Sequence, residues 1–251
     1  MKSCLLLFVS VLPCLIVTFC ILYPVLSNDK RILKVGDQLL IVNKRNSFIE
    51  WHEALAKYLK FPLDHHYGSH SIVLLAALLV TKTGPILELG MGSSSTPLLH
   101  RLSLEQNRLL LSADSDQRWI NHFSSLAKNS SLHRLKHVTI TSELGIEWAT
   151  SGIAYSANWT VVFIDHRPGG RRKFDLMLYA SLSDLVIIHD TERTSLYKYD
   201  EALSLYPHQY RFKKLNTYTD ILSMKNDTII YEIRRLLDSI PDVYFRNITL
   251  K

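Results

Sequence analysis

Two continuous apolar runs, Val161-Val-Phe-Ile164 and Leu185-Val-Ile-Ile188, constrain this chain more than any other feature. A strand that is apolar on both faces belongs inside a sheet covered on two sides, the usual setting of parallel strands. Between the two runs, Arg171–Leu182 carries apolar residues at helical spacing. Upstream, Pro85–Leu89, Leu109–Ala113 and His137–Thr141 read as further strands, and Thr160–Ile164 and Leu185–Ile188 bound the two runs. Thr96–Leu102 and Gln117–Lys128 read as the helices between the upstream strands. Such alternation predicts an α/β fold with a doubly wound, mostly parallel sheet. Ser47–Lys60 and His70–Val80 read as helices ahead of the sheet, and Tyr210–Lys213 with Asp220–Met224 as a closing antiparallel pair.

The 251 residues are 47% apolar, enough for one core without covalent staples. Cys4, Cys14 and Cys20 all lie near the start, so the remaining chain holds neither a disulfide framework nor a cysteine metal site. The net charge of +6 is spread along the chain. It suits an acidic partner or a membrane surface without singling out nucleic acid, and none is expected.

From Cys4 to Leu26 the chain has no charged residue. About 20 apolar residues span a bilayer as a helix, so 1–27 reads as a transmembrane anchor or signal segment. Val25-Leu26-Ser27 is a usable signal-peptidase site, which leaves cleavage open. Lys30, Arg31 and Lys34 behind the run favour a cytosolic body. Four sequons, at Asn129, Asn158, Asn226 and Asn247, favour the secretory lumen. The weighed expectation is a single-pass protein of the endoplasmic reticulum or Golgi with a lumenal body, or a secreted one if the segment is cleaved.

In a sheet of this kind, ligands bind where the strands' carboxyl ends meet at the switch point. The residues placed there are polar. Gly90 and Gly92 follow a strand and precede a helix, as a nucleotide-binding turn requires. Ser93, Ser94 and Ser95 stand ready to donate hydrogen bonds or to cap that helix. Asp114 closes the next strand, where a carboxylate accepts hydrogen bonds from ribose hydroxyls. The dinucleotide fingerprint's third glycine is missing, since Ser95 takes its place, and pyrophosphate is disfavoured. Further along, Asp165-His166 and His189-Asp190 each close an apolar strand. Either histidine suits a general base near neutral pH, with a neighbouring aspartate to orient it or take the proton. The plain alternatives are that Asp190 caps the segment behind the fifth strand, that His166 binds a carbonyl, and that Arg171, Arg172 and Lys173 form a solvated first helical turn.

Gly84-PILELGMGSSSTPLL followed by Leu109-LLSADSDQRW resembles the first two motifs of class I S-adenosylmethionine-dependent methyltransferases. The likeness runs from about Asp64 to Met224. It implies a seven-stranded sheet whose last strand is antiparallel, within a domain spanning 61–251 behind a linker and N-terminal helix at 28–60. It also implies S-adenosylmethionine as cofactor, with Glu88, Gly90, Gly92 and Ser93 at its methionine part, Asp114 at its ribose and Glu143 near its adenine; Ser142 and Glu147 remain alternatives to Glu143. Phe163-Ile-Asp-His166 is similar to the fourth-strand end of catechol O-methyltransferase-type enzymes, where the aspartate binds magnesium. His189 departs from that pattern and speaks against magnesium, although Asp165 and Asp190 retain oxygens to share a divalent ion. His65, His66 and His70 lack zinc-site spacing. The resemblance implies methyl transfer to an oxygen of a small molecule or glycan, with Asp165, His166, His189 and Asp190 as the catalytic candidates. The competing readings are a catalytically silent nucleoside-binding module and an NAD(P)-dependent oxidoreductase.

Overall fold

The computed structural model describes residues 30–35, 38–61, 63 and 68–245. The apolar run at 4–26 lies outside them, as do Asn247, His65 and His66. Among the described residues no helix is long and apolar enough to cross a membrane. The segment expected as a linker contains β1 (Lys30–Val35) and β2 (Gln38–Asn43), which pair antiparallel in a small sheet of their own. Helix α1 (Lys44–Tyr58) follows.

The remaining chain winds as α2 (Ser69–Thr81), β3 (Ile86–Leu89), α3 (Thr96–Glu105), β4 (Leu110–Asp114), α4 (Gln117–Lys128), β5 (His133–His137), α5 (Glu147–Thr150) and β6 (Trp159–Ile164). It continues as α6 (Arg172–Leu182), β7 (Ser183–His189), α7 (Thr194–Tyr197), α8 (Asp200–Ser204), β8 (His208–Phe212), β9 (Thr219–Ser223) and α9 (Asp227–Asp238). Seven strands form one sheet in the order β5-β4-β3-β6-β7-β9-β8. β3 pairs parallel with both β4 and β6, and β7 pairs parallel with β6. The last strand, β9, slots antiparallel between β7 and β8. The sheet is the doubly wound, mostly parallel one expected, with its order reversing at β3.

Alternation along the strands divides the core. Leu87, Leu89, Val162, Ile164, Val186 and Ile188 pack with Leu176 and Tyr179 of α6 and with Ala202 and Leu203 of α8. On the opposite face α2 packs on β6 and β9, and α9 packs on α2, β8 and β9. α2 is buried on nearly every side, from Ser69 through Leu78, which accounts for its uniformly apolar sequence.

Besides β1, β2 and the short helices α5, α7 and α8, two elements depart from the sequence reading for a clear physical reason. The third strand of the alternation is His133–His137, four residues before the His137–Thr141 expected. It lies at the sheet's edge with one face partly in water, so its HRLKH sequence lacks an apolar run, and the apolar Val138-Thr-Ile140 behind it drew the assignment. The sequence reading also placed no helix at α9, where Asn226 accepts a hydrogen bond from the Ile229 N–H (3.1 Å) as a side-chain cap. Its amphipathic face buries Ile230, Ile233, Leu236 and Leu237.

Candidate functional site

The glycine turn between β3 and α3 begins where β3 meets β6. Gly90 has φ 96°, and a Cβ built there would lie 2.5 Å from the Asp165 carbonyl carbon and the His166 nitrogen. Only glycine fits both the backbone angle and this approach. Gly92 is different. A Cβ there would touch only the Ser95 hydroxyl, at 3.5 Å, so the protein itself has room for a side chain. The serines do not cap α3 through their side chains. Instead Thr96 Oγ1 accepts from the Gly92 N–H (3.0 Å) and donates to Glu88 Oε1 (2.9 Å). Glu88 is thereby fastened beneath the turn, wholly buried. Burial pushes its carboxyl up to about 7, against the pull of the nearby Ser112, Ser95 and Thr96 hydroxyls.

Asp114, the last residue of β4, accepts from the Met91 N–H (2.6 Å) on one oxygen and from the Asp116 N–H (2.7 Å) on the other. It therefore ties the glycine turn to the start of α4. Burial raises its pKa, and these two N–H donors oppose the rise. Each carboxylate oxygen keeps a second lone pair for a further donor. Asp116 caps α4 by accepting from the Arg118 N–H (2.9 Å).

At the ends of β6 and β7, one side chain organises the rest. The Arg172 guanidinium meets Asp165 Oδ1 at 2.9 Å and Asp190 Oδ2 at 3.1 Å. It also donates to the Asp165 and His166 carbonyls (2.9 and 2.8 Å). Burial alone would weaken its hold on its proton, but Asp165, Tyr199 and Asp190 more than offset this and its pKa is raised. Asp165 is raised by burial, with Arg172 opposing. His166 lies buried against the Trp148 ring (4.4 Å between centroids), its Nε2 2.8 Å from Asp175 Oδ2. Asp175 also receives Arg171, at 3.2 Å. Two arginines opening a helix oppose its dipole, and three carboxylates neutralise them here. The expectation of a solvated RRK turn thus fails for Arg171 and Arg172, which are buried. His189 places Nδ1 3.1 Å from Thr219 Oγ1 and Nε2 3.7 Å from Asp190 Oδ1. Asp190 adopts a left-handed backbone (φ 62°) and makes no side-chain cap, so the capping alternative does not hold.

Asp114, Asp165, His166, Arg172, His189 and Asp190 share one cleft of about 1100 Å³ along the carboxyl ends of β3, β4, β6 and β7. No protein-family model and no curated protein matches the sequence. Among solved structures, the O-methyltransferase TomG from Streptomyces achromogenes, in complex with SAM, is 15% identical with a TM-score of 0.48, covering 76% of this chain and 91% of that one. Cofactor-bound Rv0187 from MTB is 13% identical with a TM-score of 0.47, over 72% and 90%. The METTL16 MTase domain is 14% identical with a TM-score of 0.46, over 84% and 92%. None of the three reaches 0.5, and strand order and connectivity carry the fold. The strand order, with its antiparallel last strand, is that of the seven-stranded sheet which the sequence resemblance implies.

Gly90, Gly92, Ser93, Asp114 and Glu143 line the cleft, as do Asp165, His166, His189 and Asp190. Glu88 does not. Its carboxylate points at Thr96 behind the turn, because burial beside a hydroxyl leaves it no path to the cleft. Glu147 stands outside as well: its carboxylate accepts from the Thr141 and Ser142 N–H groups and hydroxyls, between 2.6 and 3.0 Å. Arg172 takes one oxygen of Asp165 and one of Asp190, so an ion shared by the pair would be left the other oxygen of each.

The cleft adds residues the sequence reading gave no site role, Trp119, Arg118, Tyr197 and Thr217, and Arg172, which it read first as a solvated helical turn. Trp119 follows Asp114 within the quoted second motif, and an aromatic ring so close behind that acid was the signal available in the sequence. Arg172 carried its own signal, a cation where a helix dipole resists one.

Proposed function

We propose that this chain is an S-adenosylmethionine-dependent methyltransferase acting on an oxygen of a small molecule or glycan. The observation that carries the reading is Gly92. It lines the cleft beside Asp114, yet no protein atom fills its missing side chain more closely than 3.5 Å. The chain has no steric need for glycine there, whereas a ligand pressed on the backbone does. Gly90–Ser95 would receive the methionine part, Asp114 the ribose hydroxyls, and Trp119 with Glu143 the base. When bound, S-adenosylmethionine supplies an electrophilic methyl group on a sulfonium.

The chain's own residues would do the rest. His166, pinned by Asp175 and Trp148, and Arg172 hold the ends of β6 and β7 at a fixed spacing, which keeps the acceptor aligned. Asp190, or His189 where its nitrogen is not engaged, would take the acceptor's proton as its oxygen bonds to carbon and the carbon–sulfur bond breaks. Arg172's neutralisation of Asp165 and Asp190 favours the second reading, a nucleoside-binding module without catalysis. A membrane or lumenal setting is part of the proposal; the apolar 4–26 segment and the exposed sequons at Asn129 and Asn158 support it.

Calorimetry on the full chain tests the cofactor. S-adenosylmethionine and its demethylated product should bind while NAD does not, and Asp114→Ala should weaken both. Binding of NAD alone would reverse the reading. Methyl transfer to a panel of hydroxyl acceptors, lost in Asp190→Asn, separates an enzyme from a silent module. Glycopeptide mapping at Asn129, Asn158, Asn226 and Asn247 fixes the compartment, and unmodified asparagines in cells would refute the lumenal setting.

A further inference from the structure

His70 is the second residue of α2, and in the sequence it stands with His65 and His66, whose spacing does not match a zinc site. Its ring is buried, and neither ring nitrogen has a hydrogen-bond partner among the described residues. A buried imidazole left in this state is costly and calls for an explanation. The ring stands edge-on to His189, 4.6 Å between centroids. One nitrogen of His70, one of His189 and one carboxylate oxygen of Asp165 all lie within 4.8 Å of one another. All three residues line the cleft at the ends of β6 and β7.

We infer that His70, Asp165 and His189 form a binding site for one divalent transition-metal ion. Two imidazoles and one carboxylate are the donor set of zinc, iron(II) or manganese(II) rather than magnesium. A tetrahedral shell with metal–ligand distances of about 2.0–2.1 Å has edges of about 3.3 Å, which side-chain rotations reach from the observed spread. Arg172 sharpens the choice. It occupies one oxygen of Asp165 and one of Asp190, which weakens any all-oxygen site but leaves the two His70 nitrogens and the second Asp165 oxygen. Asp165 and Asp190 against Arg172 leave one net negative charge facing the ion. Three protein ligands leave an open position toward the cleft, as catalytic sites do. The ion's role there, polarising the acceptor oxygen, rests on the methyltransferase reading; the site itself does not.

The test uses the full chain, stripped with chelator and titrated with Co²⁺ alone, then Zn²⁺ alone, read by visible absorption, calorimetry and elemental analysis. One equivalent is expected, with Zn²⁺ displacing Co²⁺ and Mg²⁺ failing to compete. His70→Gln and Asp165→Asn should each lower Co²⁺ affinity by more than the roughly 10–100-fold that loss of an outer partner costs, while the His65→Ala/His66→Ala double variant keeps the equivalent. If His70→Gln does not fold, Asp165→Asn and the unaltered chain still decide. No uptake by the unaltered chain, or uptake lost in the His65→Ala/His66→Ala variant, overturns the site. Cofactor calorimetry on the same samples keeps the two readings apart. Metal uptake without S-adenosylmethionine binding sinks the methyltransferase alone, and the converse sinks the metal site alone.

Discussion

Glu88 offers a quantitative test of how the glycine turn is supported. Its carboxyl is wholly buried, Oε1 accepts from Thr96, and Oε2 has no hydrogen-bond partner among the described residues. Burial raises its pKa from 4.5 to about 7. Between those values the folded protein holds a proton that the unfolded chain has released. The contribution of this group is therefore fully present below about pH 4.5 and is lost as pH rises through about 7. At about 1.4 kcal/mol per pH unit, the loss comes to about 3 kcal/mol. Glu88→Gln copies the protonated acid without the titration. Urea unfolding of both proteins from about pH 5 to pH 8 should show the variant gaining on the wild type with rising pH, by about 3 kcal/mol at the upper end. Buried His133, held at about 4 by burial, loses stability in the opposite direction as pH falls, but it is common to both proteins and cancels in the difference. A difference that stays flat across the range, or that favours the wild type as pH rises, would refute the buried, ionisable Glu88.

The two glycines of the turn should separate cleanly. Gly90→Ala drives a methyl group into the Asp165–His166 backbone and should cost more than about 4 kcal/mol, seen as loss of folded protein by circular dichroism. Gly92→Ala should leave urea stability within about 0.5 kcal/mol while weakening S-adenosylmethionine about tenfold or more by calorimetry. Arg172→Met leaves Asp165 and Asp190 facing each other without a counterion and should cost about 3–5 kcal/mol at neutral pH, by urea unfolding. Trp119→Ala should weaken the cofactor by the roughly 1–3 kcal/mol of base stacking on an aromatic ring, read by equilibrium binding.

The central sheet was readable because its strands are buried on both faces, and such strands must be written in apolar residues. Val161–Ile164 and Leu185–Ile188 fall within a residue or two of the observed bounds. β5 was misplaced for the converse reason: an edge strand meets water and carries HRLKH. The glycine turn and Asp114 were legible because backbone geometry restricts which residues can stand there. Hydrogen bonds that cross the fold were not. Glu88 looks like a cleft residue in sequence, and only the position of Thr96 shows which way it faces. Arg172 and His70 belong to helices that the sequence places correctly, but their partners come from strand ends far along the chain. No local pattern records that one guanidinium closes two acids together, or that one imidazole stands beside another.

Gly90 has a consequence for how such a protein can diversify. The loop leaving β3 rests directly on the backbone leaving β6, with no room for even one methyl group between them. The parts of the cleft behind β3 and behind β6 are therefore halves of a single rigid seam and cannot drift apart to admit a larger guest. New ligands would have to be won at the periphery, in the loops carrying Ser142–Glu143 and Arg193–Tyr197, while the seam itself stays as it is.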